Sequence, residues 1–477
     1  HRLGDHGDVT ELIRAAGDRG IRVIADLVVN HTSNEHPWFE ASRRDPDGPH
    51  GNYYVWQDEP PEGWDTSLIF PGDQETNWTW DDERGAYYLH HFYEHQPDVN
   101  PDDPGIRAEF AQIISFWLQQ GLAGFRVDAV PYLINLEGIA GPEEITPHGL
   151  LRELRAKLTR RRGDAVMLGE VNVAPDEQRR FFGENRGDEL HMVFNFHVNQ
   201  HLLLALARRD PATVRDALRS LPEIPPDCQW ANFLKNHDEA TLDQLDESER
   251  AEVFAALGPE EHMQLYDRGL RRRIPPMLGG DMRRIRMAYS LLFALPGTPV
   301  LFYGEEIGMG ENLDVPDRLA VRTPMQWSSG PTGGFSTADA DAIRRPPPAG
   351  DYGPDRVNVA DQLGEPDSML NWTNRLVRRR RQTPELGYGR MRLLDVGAPG
   401  VLAMRVDWQD RTVVTLHNFG ADDVDVSFAD AVDADVSEII GLWADSAYDD
   451  DGKADVTLRG DGYRWFRLRK VGQDQLL

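Results

Sequence analysis

GFRVDAV, residues 124 to 130, reads as a short buried strand that carries an arginine and a carboxylate to its end. Gly124, Phe125, Val127, Ala129 and Val130 are small or apolar, so Arg126 and Asp128 are the only charges in a segment covered on both faces. Two residues apart on a strand, their side chains point the same way and set a guanidinium beside a carboxylate. A paired arginine keeps such an aspartate ionised, which suits either a structural ion pair or a nucleophile. Taken alone, the strand favours the ion pair. Its neighbours decide between the two.

On the N-terminal side, DVTELIRAAGDR (8 to 19) has a helical period with Asp8 placed to cap it, and IRVIADLVVNH (21 to 31) is a β-branched run ending in polar residues. Helix followed by buried strand is the alternation of an α/β protein. Residues 32 to 100 interrupt it with a Trp-, Tyr-, Asp-, Pro- and Gly-rich stretch that has no helical period. A connection this long reads as an inserted subdomain over the strand ends, whose aromatics and carboxylates suit sugar recognition. Trp56, Trp78 and Trp80 are expected mainly to form the insert's own small core.

On the C-terminal side, a helix at 104 to 120 leads into the opening strand, and a helix at 148 to 162 precedes AVMLGEV with Glu170 near its end. HMVFNFHV (191 to 198) is a further strand, and CQWANFLKNHDEA ends in Asn236, His237, Asp238 and Glu239. Residues 240 to 285 read as a helical, charged excursion containing GLRRRIPPML. The helix MAYSLLFAL precedes PGTPVLFYGEEIG, a loop carries VRTPMQW, and a helix at 366 to 382 comes next. The parallel-type strands are therefore expected at 22 to 29, 124 to 130, 166 to 171, 191 to 197, 231 to 237 and 299 to 305. A closed (β/α)8 TIM barrel needs eight strands; these six predict an incomplete barrel, two β/α units short. From about 386 the texture changes to short alternating strands, an antiparallel β-sandwich. The expected organisation is a barrel over 1 to 31 and 101 to 385, an insert over 32 to 100 and a sandwich over 386 to 477.

The net charge of -29, from 80 acidic and 51 basic side chains, argues against nucleic acid or an anionic membrane surface as partner and favours a neutral or cationic small molecule. Only Lys157, Lys235, Lys453 and Lys470 are lysines, and the single cysteine, Cys228, leaves no intrachain disulfide and reads as a buried small hydrophobe. No apolar run approaches the roughly 20 residues of a membrane span. Targeting is not legible from an end that starts at His1, and a cytoplasmic enzyme is the expectation.

Several strands end in ionisable groups: Asp26 with His31, Arg126 with Asp128, Glu170, and His237 with Asp238. In a barrel such ends converge on one face. Three carboxylates with flanking histidines and an arginine, free of metal-type spacing, suit cleavage of an acetal: one attacks, one of raised pKa protonates the leaving oxygen, and one favours the positive transition state.

The segments DLVVNH (26 to 31), QPDVN (96 to 100), GFRVDAV, GEV around Glu170 and NHDE (236 to 239) resemble the successive motifs of the α-amylase superfamily, which implies that the barrel is N-terminally incomplete, its first two β/α units falling before His1. Within it, HPWFEASRRDPDGPHGNYYVW, NHDEATLDQLDESER, GLRRRIPPML, LPGTPVLFYGEEIGMG and VRTPMQW are similar to the trehalose synthases, the maltose α-D-glucosyltransferases. The resemblance implies Asp128 as nucleophile, Glu170 as acid/base and Asp238 as transition-state stabiliser, with His31 and His237 binding sugar hydroxyls and Arg126 orienting Asp128. It implies isomerisation of maltose to trehalose through a glucosyl-enzyme intermediate with some hydrolysis, the excursion 240 to 285 serving as cover. No organic cofactor is implied. A structural Ca²⁺ is, with ligands at Asn30, Asp98 and the backbone carbonyls near Tyr132 and Leu133; Asn135 stands where the family has an acidic ligand, which weakens the site. Two other readings stay open: an α-glucosidase or oligo-1,6-glucosidase hydrolysing short α-glucosides, which share the QPDLN-like segment, and a non-catalytic glucan-binding remnant. In some relatives the enzyme works beside a maltose kinase, which here would be a separate chain, and a homo-oligomer is also compatible with the sequence.

Overall fold

A computed structural model describes residues 4–60, 68–70, 74–134, 147–184, 186–449 and 452–472. They fold as two compact units, one formed by His1–Phe194 with Pro222–Gln229 and the other by Asn195–Leu221 with Trp230–Leu477.

The first unit is built on parallel strands Ala25–Leu27, Gly124–Val127, Val166–Gly169 and Met192–Phe194, hydrogen-bonded in that order. The register sets Asp26 opposite Arg126 and Arg126 opposite Leu168. Each of these strands lies inside the span expected for it and is shorter, because the ladder needs only the residues that pair. Gly124 is required by close approach: at its φ of +146° a Cβ would lie 2.1 Å from the carbonyl oxygen of Val166.

Helices His6–Gly17, Pro104–Gln119 and Pro147–Arg161 belong to this unit. The first starts earlier than expected. Asp5, not Asp8, is its cap, and Asp8 closes a capping box by accepting the Asp5 amide at 2.8 Å. Helix Pro104–Gln119 starts on the Asp103 carboxylate with proline in its first turn, and buries Ile106, Phe110, Ile114 and Leu118 along one four-residue stripe.

The insert does contain a helix, Pro37–Arg44, capped by the His36 ring, which corrects the expectation of none. A three-stranded antiparallel sheet of Trp56–Gln57, Ala86–Leu89 and Trp78–Asp81 accompanies it. Val55, Trp78 and Leu89 form a small core, and Trp56 stacks on Phe39 at 5.4 Å. Trp80 is exposed and is not part of that core.

Strand Gln229–Phe233, which belongs to the second unit from Trp230 on, pairs in parallel with Thr298–Val300, Ala231 opposite Thr298, and both strands start slightly earlier than expected. Helices Phe196–Arg208, Ala212–Ser220, Glu247–Leu257, Met282–Ala294 and Met369–Arg381 contribute to one apolar core that continues into the C-terminal residues Leu402, Val413, Tyr463 and Trp465. The excursion after Asp238 is not simply helical. It combines helix Glu247–Leu257 with a three-stranded sheet of Ala240–Thr241, Gly269–Leu270 and Gln264–Leu265.

The C-terminal residues form a five-stranded antiparallel sheet in the order Arg390–Leu394, Val401–Trp408, Arg411–Asn418, Tyr463–Lys470, Val436–Ala444, and a two-stranded sheet of Val424–Ser427 and Asp455–Leu458. Side chains from both sheets share a core that includes Val414, Phe466, Val426 and Leu458. Polar contacts lock the larger sheet to the helices. Trp465 donates its indole N–H to the Ser290 hydroxyl at 3.2 Å, the His417 ring lies 3.1 Å from the same hydroxyl, and Trp372 donates to the Tyr463 hydroxyl at 3.0 Å. Cys228 is buried as a thiol. Among the described residues no helix is long and apolar enough to cross a membrane.

Candidate active site

Arg126 is the hub of the first cluster. Its strand is paired on both edges, so the guanidinium leaves the sheet at a fixed point. Nη2 donates to Glu170 Oε2 at 2.7 Å, Nη1 pairs with the Asp128 carboxylate, and Asp26 Oδ1 lies 3.5 Å away. Arg126 is mostly buried, whereas Asp128 and Glu170 each keep about a fifth of their side-chain surface, enough to meet a substrate. The backbone beyond the strand is held as firmly: Asp128 N donates to Leu27 O at 3.2 Å and Glu170 N to Val127 O at 3.0 Å. Ala129 turns at a φ of +47° and directs its amide toward Glu170 Oε2 at 3.4 Å. An L-residue with a Cβ rarely takes this conformation, so the surrounding contacts must hold the chain in place immediately after Asp128.

His31 sits beside this cluster. Its Nε2 meets the Gln96 amide at 3.0 Å, and the ring packs 5.2 Å from Phe92. Burial lowers its pKa against the opposing pull of Asp98 and Asp128, which favours the neutral imidazole.

Asn30 and Asp98 are brought together as expected, the Asn30 amide donating to Asp98 Oδ1 at 3.3 Å, both fully buried. The sequence reading missed His91, whose Nδ1 pairs with Asp98 Oδ2 and whose ring lies 5.4 Å from that of Tyr132. The oxygens of Asn30 and Asp98 are hard donors suited to Ca²⁺, and a cation on Asp98 Oδ2 would compete with His91 for it. Asn135 lies outside the described residues.

The second cluster comes after strand Gln229–Phe233 in the other unit. Asn236 Oδ1 accepts the Asp238 amide at 3.1 Å, an Asx turn that fixes the direction of the aspartate. Asp238 pairs with Arg322, has Arg318 Nη1 at 3.3 Å, and has His237 Nε2 at 3.6 Å. Burial would raise its pKa, but Arg318, His237, Arg322 and Lys235 together hold it below the ordinary carboxylate range. Buried Lys235 lies behind the turn, donating to the backbone oxygens of Asn236, at 3.0 Å, and of Asp238. Burial brings its ammonium down to about 7, against the pull of Asp238 and Glu239.

Arg318, Arg322 and Lys235 were not among the expected site residues. Arg322 had a signal, since it lies in the VRTPMQW segment. Lys235 had a weaker one, as one of four lysines and the only cation in an apolar strand. The excursion is tied to the loop carrying both arginines: the Arg273 amide and the Arg272 side chain donate to Glu311 at 2.8 and 2.9 Å, and Arg273 Nη2 donates to Val321 O at 2.7 Å.

Residues 1–256 and 267–389 match the alpha amylase catalytic domain. The chain belongs to the α-amylase family. Members of this family share a (β/α)8 barrel followed by C-terminal β sheets, and the α-amylase fold is also what the solved structures show. The crystal structure of the α-amylase from H. orenii superposes with a TM-score of 0.75 at 23% identity, covering 98% of this chain and 84% of that one. Among curated α-amylase relatives, the trehalose synthase of Pimelobacter sp. (strain R48) is 38% identical over 98% of this chain and 83% of its own length. The trehalose synthase/amylase of Mycobacterium tuberculosis is 37% identical over 98% of this chain and 78% of its own.

Proposed function

We propose that this α-amylase family member is a maltose α-D-glucosyltransferase that isomerises maltose to trehalose with retention. The observation that carries the reading is Arg126 holding Asp128 and Glu170 on one guanidinium, at the strand ends where the family motifs fall. The similarity to trehalose synthases over 98% of the chain selects the reaction within the family.

In the proposed sequence Asp128 attacks C1 of the non-reducing glucosyl unit, the C1–O4 bond breaks, and Glu170 delivers its proton to O4. The freed glucose turns, its anomeric hydroxyl gives a proton back to Glu170, and that oxygen displaces Asp128 from C1 to form the α,α-1,1 link. Atoms balance without water. Water in place of glucose gives two glucose molecules, the hydrolytic side reaction. Asp238 favours the positive charge that develops at C1, neutral His31 together with His237 binds hydroxyls of the transferred sugar, and Arg126 orients Asp128.

The excursion 240 to 285, pinned through Arg272 and Arg273, is proposed to keep glucose in and water out. The six parallel strands among the described residues are read as the third to eighth of the barrel, residues 32 to 100 as the insert, and 386 to 477 as the C-terminal domain. Ca²⁺ would be held by Asn30, Asp98 and the carbonyls of Tyr132 and Leu133, where it would stiffen the junction of insert and barrel.

The test is incubation with maltose and NMR of the products. Trehalose supports the proposal. Glucose alone selects the α-glucosidase reading, and binding without turnover selects the non-catalytic one.

A further inference from the structure

We propose that Arg318 is a positioning residue for Asp238, and that the ring of Tyr266 at the tip of a hairpin in the excursion holds Arg318 in place. This rests on the role given to Asp238 above. Arg318 bridges two consecutive carboxylates, with Nη1 3.3 Å from Asp238 Oδ1 and Nε 2.5 Å from Glu239 Oε2. Its guanidinium lies over the Tyr266 ring, 5.4 Å from the centroid. A fork of donors facing two acceptors, with an aromatic ring beneath it, has little freedom left to turn.

The hairpin geometry explains why the ring lies there. Leu265 pairs with Gly269, and the three residues between them turn through Tyr266 and Asp267 at φ of +56° and +54°. Two successive side-chain-bearing residues in the left-handed region are disfavoured unless surrounding contacts offset the strain. The hairpin's second strand pairs Leu270 with Ala240, next to Glu239 in the chain. It also presses on Glu239 itself: a Cβ at Gly269 would lie 2.6 Å from Glu239 Cγ. Glu239 is therefore gripped between the hairpin backbone and Arg318, and a movement of the hairpin is passed to Asp238 through one guanidinium. Arg322 also pairs with Asp238, so loss of Arg318 leaves the carboxylate charged and misplaced.

The experiment uses the full chain with Tyr266→Phe, Tyr266→Leu, Arg318→Lys and Arg318→Met, monitoring maltose loss, product identity and thermal midpoint across pH. Tyr266→Phe keeps the ring face and is expected within about twofold of the parent, whereas Tyr266→Leu lowers kcat about fivefold. Arg318→Met lowers kcat at least about tenfold with KM nearly constant, and moves the acidic limb of the kcat profile upward in pH because Asp238 has lost a cation. Arg318→Lys recovers part of the loss. Tyr266→Leu behaving as Tyr266→Phe, or Arg318→Met leaving the acidic limb in place, overturns the proposal. Trehalose absent from the parent's products overturns the isomerase reading and leaves the comparison of maltose loss intact. A parent that turns over neither maltose nor an aryl α-glucoside overturns both.

Discussion

Arg126 donates to Glu170 Oε2 at 2.7 Å across two paired strands, while the same guanidinium pairs with Asp128 beyond the end of its own strand. One cation thus sets the spacing of two carboxylates given different tasks. Arg126→Lys keeps the charge and loses the fork, so it is expected to lower kcat about a hundredfold with a smaller change in KM. Steady-state kinetics on maltose, with circular dichroism to confirm folding, measure this.

The two carboxylates should separate by leaving group. Glu170→Gln is expected to lose maltose turnover by about 10²- to 10⁴-fold yet still cleave a 4-nitrophenyl α-glucoside, whose phenolate departs without a proton. Asp128→Asn should lose both substrates. Equal losses on both substrates for Glu170→Gln would remove it from the acid/base role.

His417 gives a pH dependence in stability. Burial holds its pKa down at about 3, with the Ser290 contact opposing only in part, against an ordinary value of 6.5. A histidine lowered in the folded state binds fewer protons there than when unfolded. Its stabilising contribution is present above about pH 6.5 and is lost as pH falls toward 3, at about 1.4 kcal/mol per pH unit. Thermal midpoints measured from pH 7 to 4 should fall, and His417→Gln should flatten that decline.

Calcium is expected to raise the thermal midpoint, and EDTA to reverse the rise, if the cation enters between Asn30 and Asp98. His91→Ala removes the competing partner of Asp98 and should strengthen the calcium effect; a midpoint indifferent to calcium and EDTA in both proteins would leave the Asp98–His91 pair as the whole structure of that site.

Much of this architecture was legible because most of the parallel strands lie in apolar runs bounded by polar or glycine-containing turns, and each of the six overlaps its expected span. Glu170, Asp128 and Asp238 were legible because a charge at the end of such a run is conspicuous. What escaped was set by contacts distant in sequence or by very short elements. Arg318 lies in a single 3₁₀ helix, Asp317–Val321, too short to leave a period, and only folding reveals Tyr266 and Glu239 around it. The hairpin strands of the excursion have two residues each, too few to show alternation. Helix Pro37–Arg44 did leave a sign, a proline in the first turn behind a capping side chain, obscured by the aromatic and acidic texture around it.

The hydroxyl of Ser290 touches both His417 and Trp465, so a helix of the catalytic region and the C-terminal sheet complete each other's interior. The family match ends at residue 389, yet a chain cut there would open Ser290, Trp372 and the apolar face behind them to water. The boundary of the catalytic-domain match is therefore not a limit of cooperative folding, and the larger C-terminal sheet acts as a fixed wall behind these helices, not a detachable appendage.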